Sequence, residues 1–431
     1  MRRLFSPAFI VAHLVALHLA VLLFQGRGTS PTSSGPGVDT AASPNDHEHG
    51  RPAAPASERP KLRPGPLDLD GLRVDEDGQA LADLGNGFVG ELTLDSALQK
   101  KATRLLERGK VIVGAVVVMD VRTGDVLAMA ERHVDDHPAA PKFSDDGPKH
   151  LALRAFAPAA SVFKVVTAAA LLEGGVSGKT AFPYLGGHQR IGADHIGAPP
   201  AGSPTATLGD GLSKSINGLF AHLAVTKLEP DALATTAQRF LFNEVVPFPA
   251  LTDASTAQVP RSPLERGRMA AGFFHSKMTV LHGAVLAAAI ARGGEMPAPR
   301  FVARLRTPEG GLEEGPAPAV LGRAMQASTA TELGRMMRDT TEDGTARRSF
   351  SQVPKSLEGI GVVGKTGTLT DPTTKTDYTW FVGYAPADSP QVAFSVLVGN
   401  GNPWWVKATD VARDVLAAHF EAVAARHLAT R

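Results

Sequence analysis

The spacing of apolar positions divides the chain into three parts. Arg2 and Arg3 precede an apolar run from Leu4 to Phe24 that holds no Asp, Glu, Lys or Arg. Its 21 residues are enough to cross a bilayer as a helix. The leading arginines predict an N-terminus held in the cytoplasm. Gln25-Gly26-Arg27 follows the run, with no small-x-small cleavage pair, so residues 1–25 read as an uncleaved anchor in preference to a removed signal. From Gly26 to Pro66 the chain is rich in Pro, Gly, Ser and Ala. Such a composition buries too little apolar surface to fold. Residues 26–87 are expected to form a flexible tether, and residues 88–431 the folded domain.

Within that domain the periodicity alternates between strand and helix. Asp95 precedes a helical pattern from Ala97 to Arg108 and suits its N-cap. Val111–Val118 and Val126–Ala130 flank the turn Arg122-Thr123-Gly124-Asp125, which predicts a hairpin. Helices are expected from Ser161 to Glu173, Leu219 to Val225, Ala270 to Ala291 and Ser328 to Asp339, with loop from Gly186 to Pro204. Strands are expected at Gly359–Leu369, Tyr378–Tyr384 and Val392–Val398, then a last helix at Val406–Ala424. Two strands, a block of helices, three strands and a helix predict an α+β fold. Its parts are a five-stranded antiparallel sheet, flanking helices and an all-helical subdomain, with both ends of the domain sharing the sheet.

Composition narrows the function. The chain has 431 residues, is 43% hydrophobic and carries a net charge of +1. Near-neutral charge leaves no electrostatic case for a nucleic-acid partner. With no cysteine, disulfides and thiolate metal sites are excluded.

One helix has an odd charge. Between Arg154 and Glu173 the sole charged side chain is Lys164, three residues after Ser161. That spacing puts both groups on one helical face. Burial would lower the lysine pKa, and a neutral amine beside a hydroxyl can activate it as a nucleophile. The alternative is a core helix whose lysine reaches along its stem to solvent.

Two further triplets follow in order: Ser215-Ile216-Asn217 and Lys365-Thr366-Gly367. With Ser161-x-x-Lys164 they resemble the three elements of the serine penicillin-recognising enzymes. Leu92-Thr93-Leu94-Asp95, the Thr123-Gly124 hairpin, Gly344-Thr345-Ala346 and Lys365-Thr366-Gly367-Thr368 are similar to the transpeptidase domain of penicillin-binding proteins. The resemblance spans about residues 88–425. It implies a β-lactamase/transpeptidase-like fold in which Ser161 is acylated, Lys164 is the general base and Ser215 relays a proton to the leaving amine. Asn217 would hold a backbone amide of the substrate, and Lys365 and Thr366 its terminal carboxylate. Gly367 would allow close approach, and the Ser161 and Thr368 amides would form an oxyanion hole. The implied partners are peptidoglycan stem peptides, β-lactams as covalent inhibitors, the inner membrane and other cell-wall synthesis proteins, with no cofactor and no metal. The implied location is the inner membrane with the domain in the periplasm. The stretch before the domain is too short for a glycosyltransferase domain, so the chain is expected to be a minimal transpeptidase on a tether.

Other patterns compete with this reading. Gly359-Ile360-Gly361-Val362-Val363-Gly364-Lys365-Thr366 matches the phosphate-binding P-loop letter for letter. A P-loop needs a helix directly after the lysine, and Thr-Gly-Thr-Leu-Thr-Asp-Pro is a poor helix start. Glu229-Pro230-Asp231 echoes a hydrolytic loop but reads as a helix start. His47, His49, His222, His275 and His282 are taken as bystanders or core residues, and Asp75-Glu76-Asp77-Gly78 as a turn. Trp404-Trp405 is expected to line the groove or to pack against the last helix. The resemblance also leaves a departure, Ala160, where such enzymes often have glycine. D,D-transpeptidase is the leading expectation. D,D-carboxypeptidase, β-lactamase and a non-enzymatic penicillin-binding sensor remain alternatives.

Overall fold

The structure is a computed structural model. It describes residues 65, 67–187, 190–229, 231–371, 374–401 and 404–429. The apolar run Leu4–Phe24, the Pro-rich stretch to Pro64 and the histidines at 47 and 49 lie outside the described residues. Among the described residues, no helix is long and apolar enough to cross a membrane.

Five strands form the central sheet: β1 (Val113–Asp120), β2 (Val126–His133), β3 (Val363–Thr370), β4 (Asp377–Ala385) and β5 (Val392–Asn400). Their order is β3-β4-β5-β1-β2, with every pair antiparallel. The two ends of the domain therefore share one sheet through the β5–β1 pair, as the periodicity predicted. Strand β1 reads as an unbroken apolar run because both of its faces are buried. Val113, Ala115, Val117 and Met119 pack toward the helical block. Val116 and Val118 pack toward α1 (Ser96–Arg108) and the C-terminal helix. Helix α1 is capped by Asp95, whose side chain accepts from the amides of Ala97 and Leu98.

The helical block includes α2 (Lys164–Glu173), α3 (Leu208–Ser213), α4 (Asn217–Thr226), α5 (Ala232–Arg239), α6 (Pro263–Ala270), α7 (Val280–Ala291), α8 (Ala327–Glu342) and α9 (Arg347–Phe350). The chain closes on α10 (Ala408–Ala429). Helix α7, buried on nearly every side, lies against β5, β4 and β1.

Three expectations need correcting. Residues 67–87, read as tether, instead build Arg73–Val74 and Ala80–Asp83, two strands of a second sheet with Val89–Leu92, Val302–Arg306 and Leu312–Glu314. Leu67, Leu69, Leu81 and Leu84 are buried there. Few apolar residues suffice because strands from elsewhere cover them. Asp75–Gly78 is the turn between the two strands, closed by the Gly78 amide on the Asp75 carbonyl.

The long helix expected over Ala270–Ala291 is broken. Helix α6 stops at Ala270, a turn follows, Ser276–Met278 forms a strand, and α7 starts at Val280. The turn brings the chain back onto the Ser161 segment, and that packing overrides alanine's helix propensity. The strand expected from Gly359 begins only at Val363 and runs on to Thr370. Lys365 is thus in mid-strand with no helix behind it, which removes the P-loop reading.

Candidate active site

Ser161 lies in a single tight helical turn, Ala160–Phe163, that leads straight into α2. Ahead of it, Ala157–Pro158 pairs with Lys277–Met278, and the Trp380 indole donates to the Pro158 carbonyl at 2.9 Å. The segment leading to Ser161 is therefore tied both to the strand before α7 and to β4. Ala160 has φ +48° and is buried. This is the left-handed region, so alanine is held here against its preference.

Lys164 opens α2 and is fully buried. It does not reach along its stem to solvent. Its Nζ stands 2.8 Å from Ser161 Oγ, donates to Asn217 Oδ1 at 2.7 Å and donates to the Ala271 carbonyl at 2.5 Å. Burial holds its pKa well below the ordinary lysine value, with a smaller contribution from the charge of Lys365. The three partners suit a neutral amine. Two are carbonyl oxygens that can only accept, which takes both N–H protons, and the third is a hydroxyl that can donate to the lone pair.

The second element is a turn between α3 and α4. Ser215 is half-buried with φ +57°, and Asn217 is the first residue of α4. The Ser215 hydroxyl makes no hydrogen bond among the described residues. The hydrogen bond from this element to Lys164 is made by Asn217 Oδ1. Asn217 thereby helps orient the lysine, a role the sequence reasoning did not assign.

The third element is the edge strand β3. Among the described residues its outer side has no strand partner in the sheet, so main-chain groups there can meet an extended peptide. Gly367 faces Trp380 in the β4 register, and a Cβ on Gly367 would come within 3.3 Å of the Ala160 methyl. The glycine thus allows β3 to close on the Ala160–Phe163 turn. Thr366 is half-exposed and Thr368 exposed. Lys365 is fully buried, donates to the Thr366 carbonyl at 2.9 Å, and has a pKa pushed down to about 7 by burial. The Thr345 amide donates to the Ser213 carbonyl at 3.1 Å, and the Thr345 and Thr366 hydroxyls meet at 2.5 Å. Residues 213–217 and β3 are joined by that contact.

The structure thus gathers Ser161, Lys164 and Asn217 into direct contact and sets β3 alongside. Two contributors escaped sequence reasoning: the Ala271 carbonyl and Gly272. A Cβ on Gly272, at φ +91°, would meet the Ala160 carbonyl oxygen at 2.4 Å and the Ser161 nitrogen at 2.8 Å. The only sequence signal was a glycine inside an alanine-rich helical pattern.

The remaining candidates fall elsewhere. His282 is buried, contacts the Phe240 carbonyl at 2.6 Å and has a pKa pushed down to about 4. His275 pairs with Glu265, and Glu229 is exposed. Pro230 lies outside the described residues. Trp404 donates to Asp377 at 2.8 Å and Lys110 sits over Trp405, so the pair packs at the end of the sheet. Among the described residues, no group of three or more His, Cys, Asp or Glu could hold a metal.

Residues 114–418 match the model of the penicillin binding protein transpeptidase domain. The chain belongs to that family. It is 29% identical over 319 residues to the peptidoglycan D,D-transpeptidase PbpA of Mycobacterium tuberculosis, covering 67% of this chain and 62% of that one. It is 26% identical over 337 residues to the penicillin-binding protein PbpB of the same organism, covering 73% and 48%. The chain therefore spans less than two thirds of these relatives. Among solved structures, it is similar to penicillin-binding protein A from M. tuberculosis as a ceftriaxone acyl-enzyme complex, with TM-score 0.63, 25% identity and coverage of 77% and 79%. The D,D-transpeptidase domain of a peptidoglycan glycosyltransferase from Eggerthella lenta gives TM-score 0.63 and 25% identity, covering 81% of this chain and 95% of that one. The mixed fold with its five-stranded antiparallel sheet is the fold of these transpeptidases.

Proposed function

We propose that this chain is a serine D,D-transpeptidase that cross-links peptidoglycan stem peptides through an acyl-enzyme on Ser161. The observation that carries the reading is the buried Lys164 amine, 2.8 Å from Ser161 Oγ, with its two other contacts on carbonyl oxygens. In that state it takes the Ser161 proton as Oγ attacks the carbonyl of the penultimate residue. The developing oxyanion lies against the amides of Ser161 and Thr368. Collapse expels the terminal D-Ala, whose amine receives the proton by way of Ser215, and leaves the ester on Ser161. An amine of a neighbouring strand then attacks the ester, forms the cross-link and returns the serine. Lys365 and Thr366 hold the donor's terminal carboxylate by charge-assisted hydrogen bonds. β-Lactams enter by the same attack and remain as esters, because no carboxylate base for water is evident beside Ser161 among the described residues.

Anchoring by Leu4–Phe24 in the inner membrane, with the folded domain in the periplasm beside other cell-wall synthesis proteins, fits this reading. It rests on the charge-free run of 21 residues behind Arg2 and Arg3.

Labelling the detergent-solubilised full chain with a fluorescent penicillin, followed by mass spectrometry of the labelled peptide, tests the assignment. The label is expected on Ser161 and absent from Ser161→Ala. Equal labelling of the two proteins would sink it. Rapid turnover of the β-lactam would indicate a β-lactamase. Release of D-Ala from a pentapeptide without transfer to an added amine would indicate a carboxypeptidase.

A further inference from the structure

Thr345 stands where two of the three elements meet, and no step of the proposed reaction uses it. Its amide donates to the Ser213 carbonyl at 3.1 Å. Its hydroxyl lies 3.3 Å from that same carbonyl oxygen and 2.5 Å from the Thr366 hydroxyl. The backbone around it is fixed. The Ala346 amide donates to the Thr340 carbonyl at 2.9 Å, and a Cβ on Gly344 would come within 2.4 Å of the Ser213 carbonyl oxygen. Next to Ser213, the Lys214 ammonium lies 3.2 Å from a carboxylate oxygen of Asp210 and 3.2 Å from one of Asp343. The turn after α8 is thereby pinned to the segment that leads into Ser215.

Each of the two threonine hydroxyls has one proton to give. The Thr366 hydroxyl makes no other hydrogen bond among the described residues. In one arrangement Thr345 donates to the Ser213 carbonyl and accepts from Thr366, which uses the Thr366 proton. In the other, Thr345 donates to Thr366 Oγ1, and the Thr366 proton turns outward. A carboxylate only accepts, so Thr366 can hold one only in the second arrangement. The Ser213 carbonyl keeps the Thr345 amide as its donor in both, so the reversal leaves no backbone group unpaired. A hydroxyl that accepts one hydrogen bond while donating another is polarised and donates more strongly.

We propose that Thr345 is a positioning residue for the terminal carboxylate of the acyl donor. It donates to Thr366 Oγ1, sets the direction of that hydroxyl and frees its proton for the carboxylate. The assignment rests on the acyl-enzyme reading above, in which Thr366 holds that group.

The test is a double-mutant cycle read by the rate at which benzylpenicillin, which carries the carboxylate, acylates the detergent-solubilised full chain. The rate of labelling, unlike its final extent, is independent of any unfolded fraction. Thr345→Val and Thr345→Ala are expected to slow acylation about three- to tenfold, the worth of one hydrogen bond. Thr345→Ser, which keeps the hydroxyl, is expected to recover the rate to within about twofold of wild type. In a Thr366→Val background, where the group that Thr345 acts through is gone, adding Thr345→Val should cost less than about twofold. A purely structural hold of Thr345 on Ser213 does not pass through Thr366 and would slow both backgrounds alike. Equal loss in the two backgrounds, or no loss from Thr345→Val and Thr345→Ala in the first, overturns the assignment while leaving the acyl-enzyme intact. Failure of the wild type to be acylated overturns the underlying reading and the assignment with it.

Discussion

Replacing Lys365 with methionine should stabilise the fold while disabling the site. Lys365 is fully buried and its pKa falls from 10.5 to about 7, with burial the cause. Each tenfold change in proton affinity is worth about 1.4 kcal/mol, so the fall from 10.5 to about 7 amounts to about 5 kcal/mol. The unfolded chain holds its proton up to pH 10.5, whereas the folded chain releases it near pH 7. Stability therefore rises with pH between these values. The burial cost is in full force below pH 7 and gone above pH 10.5. Methionine keeps the volume and removes the charge, at the loss of the hydrogen bond to the Thr366 carbonyl, about 1 kcal/mol. Lys365→Met should accordingly be more stable than wild type by about 3–4 kcal/mol at pH 7 and, with the burial cost gone above pH 10.5, less stable by about 1 kcal/mol, the lost hydrogen bond. Denaturant unfolding of both full-length proteins in mild detergent across that range measures the gap. Acylation by a β-lactam should fall about 10- to 100-fold in the variant, the worth of one charge-assisted bond to the carboxylate. The reasoning fails if the variant is the less stable protein at pH 7, or if the gap stays constant as pH rises.

Other perturbations probe the contacts around Ser161. Asn217→Asp would put a carboxylate on Lys164 Nζ, favour the ammonium and raise the lysine pKa. The acid limb of the acylation–pH profile should move to higher pH, and an unmoved limb would count against the neutral-amine state. Gly272→Ala would drive a methyl to 2.4 Å from the Ala160 carbonyl at a positive φ. Thermal unfolding should show a loss of more than about 2 kcal/mol, with acylation depressed in whatever protein folds. Ala160→Gly relieves a left-handed alanine, worth about 1–2 kcal/mol. It also gives up a buried methyl worth about 0.8 kcal/mol and loosens the unfolded chain by about 0.4–1 kcal/mol. These terms nearly cancel, so the unfolding midpoint should scarcely move.

The central sheet was legible because its signals are local. Val111–Val118, Tyr378–Tyr384 and Val392–Val398 are β-branched or apolar runs of strand length, and the structure shifts their ends by only a residue or two. The Asp95 cap and α1 were legible for the same reason. The errors arose where distant contacts decide. Residues 67–87 carry few apolar side chains and fold because the strands at Val89–Leu92 and Val302–Arg306 extend their sheet. The α6–α7 break follows from packing Gly272 against Ala160, 112 residues away by number, which alanine propensity cannot register.

The sequence by itself determined the order and identity of Ser161, Lys164, Ser215, Asn217, Lys365, Thr366 and Gly367, because motif spacing is a property of the chain alone. It also placed Ser161 and Lys164 on one face, because their separation of three residues is a single helical turn. Only the tertiary structure decided what that pair can do. Lys164 can serve as a base because burial disfavours its ammonium, while Asn217 and Ala271, 53 and 107 residues away, accept its two N–H protons. Only the tertiary structure, too, put Ala160 into a left-handed backbone between Gly272 and Gly367. Desolvation and steric fit act over a few ångströms in space, and separation along the chain carries no record of them.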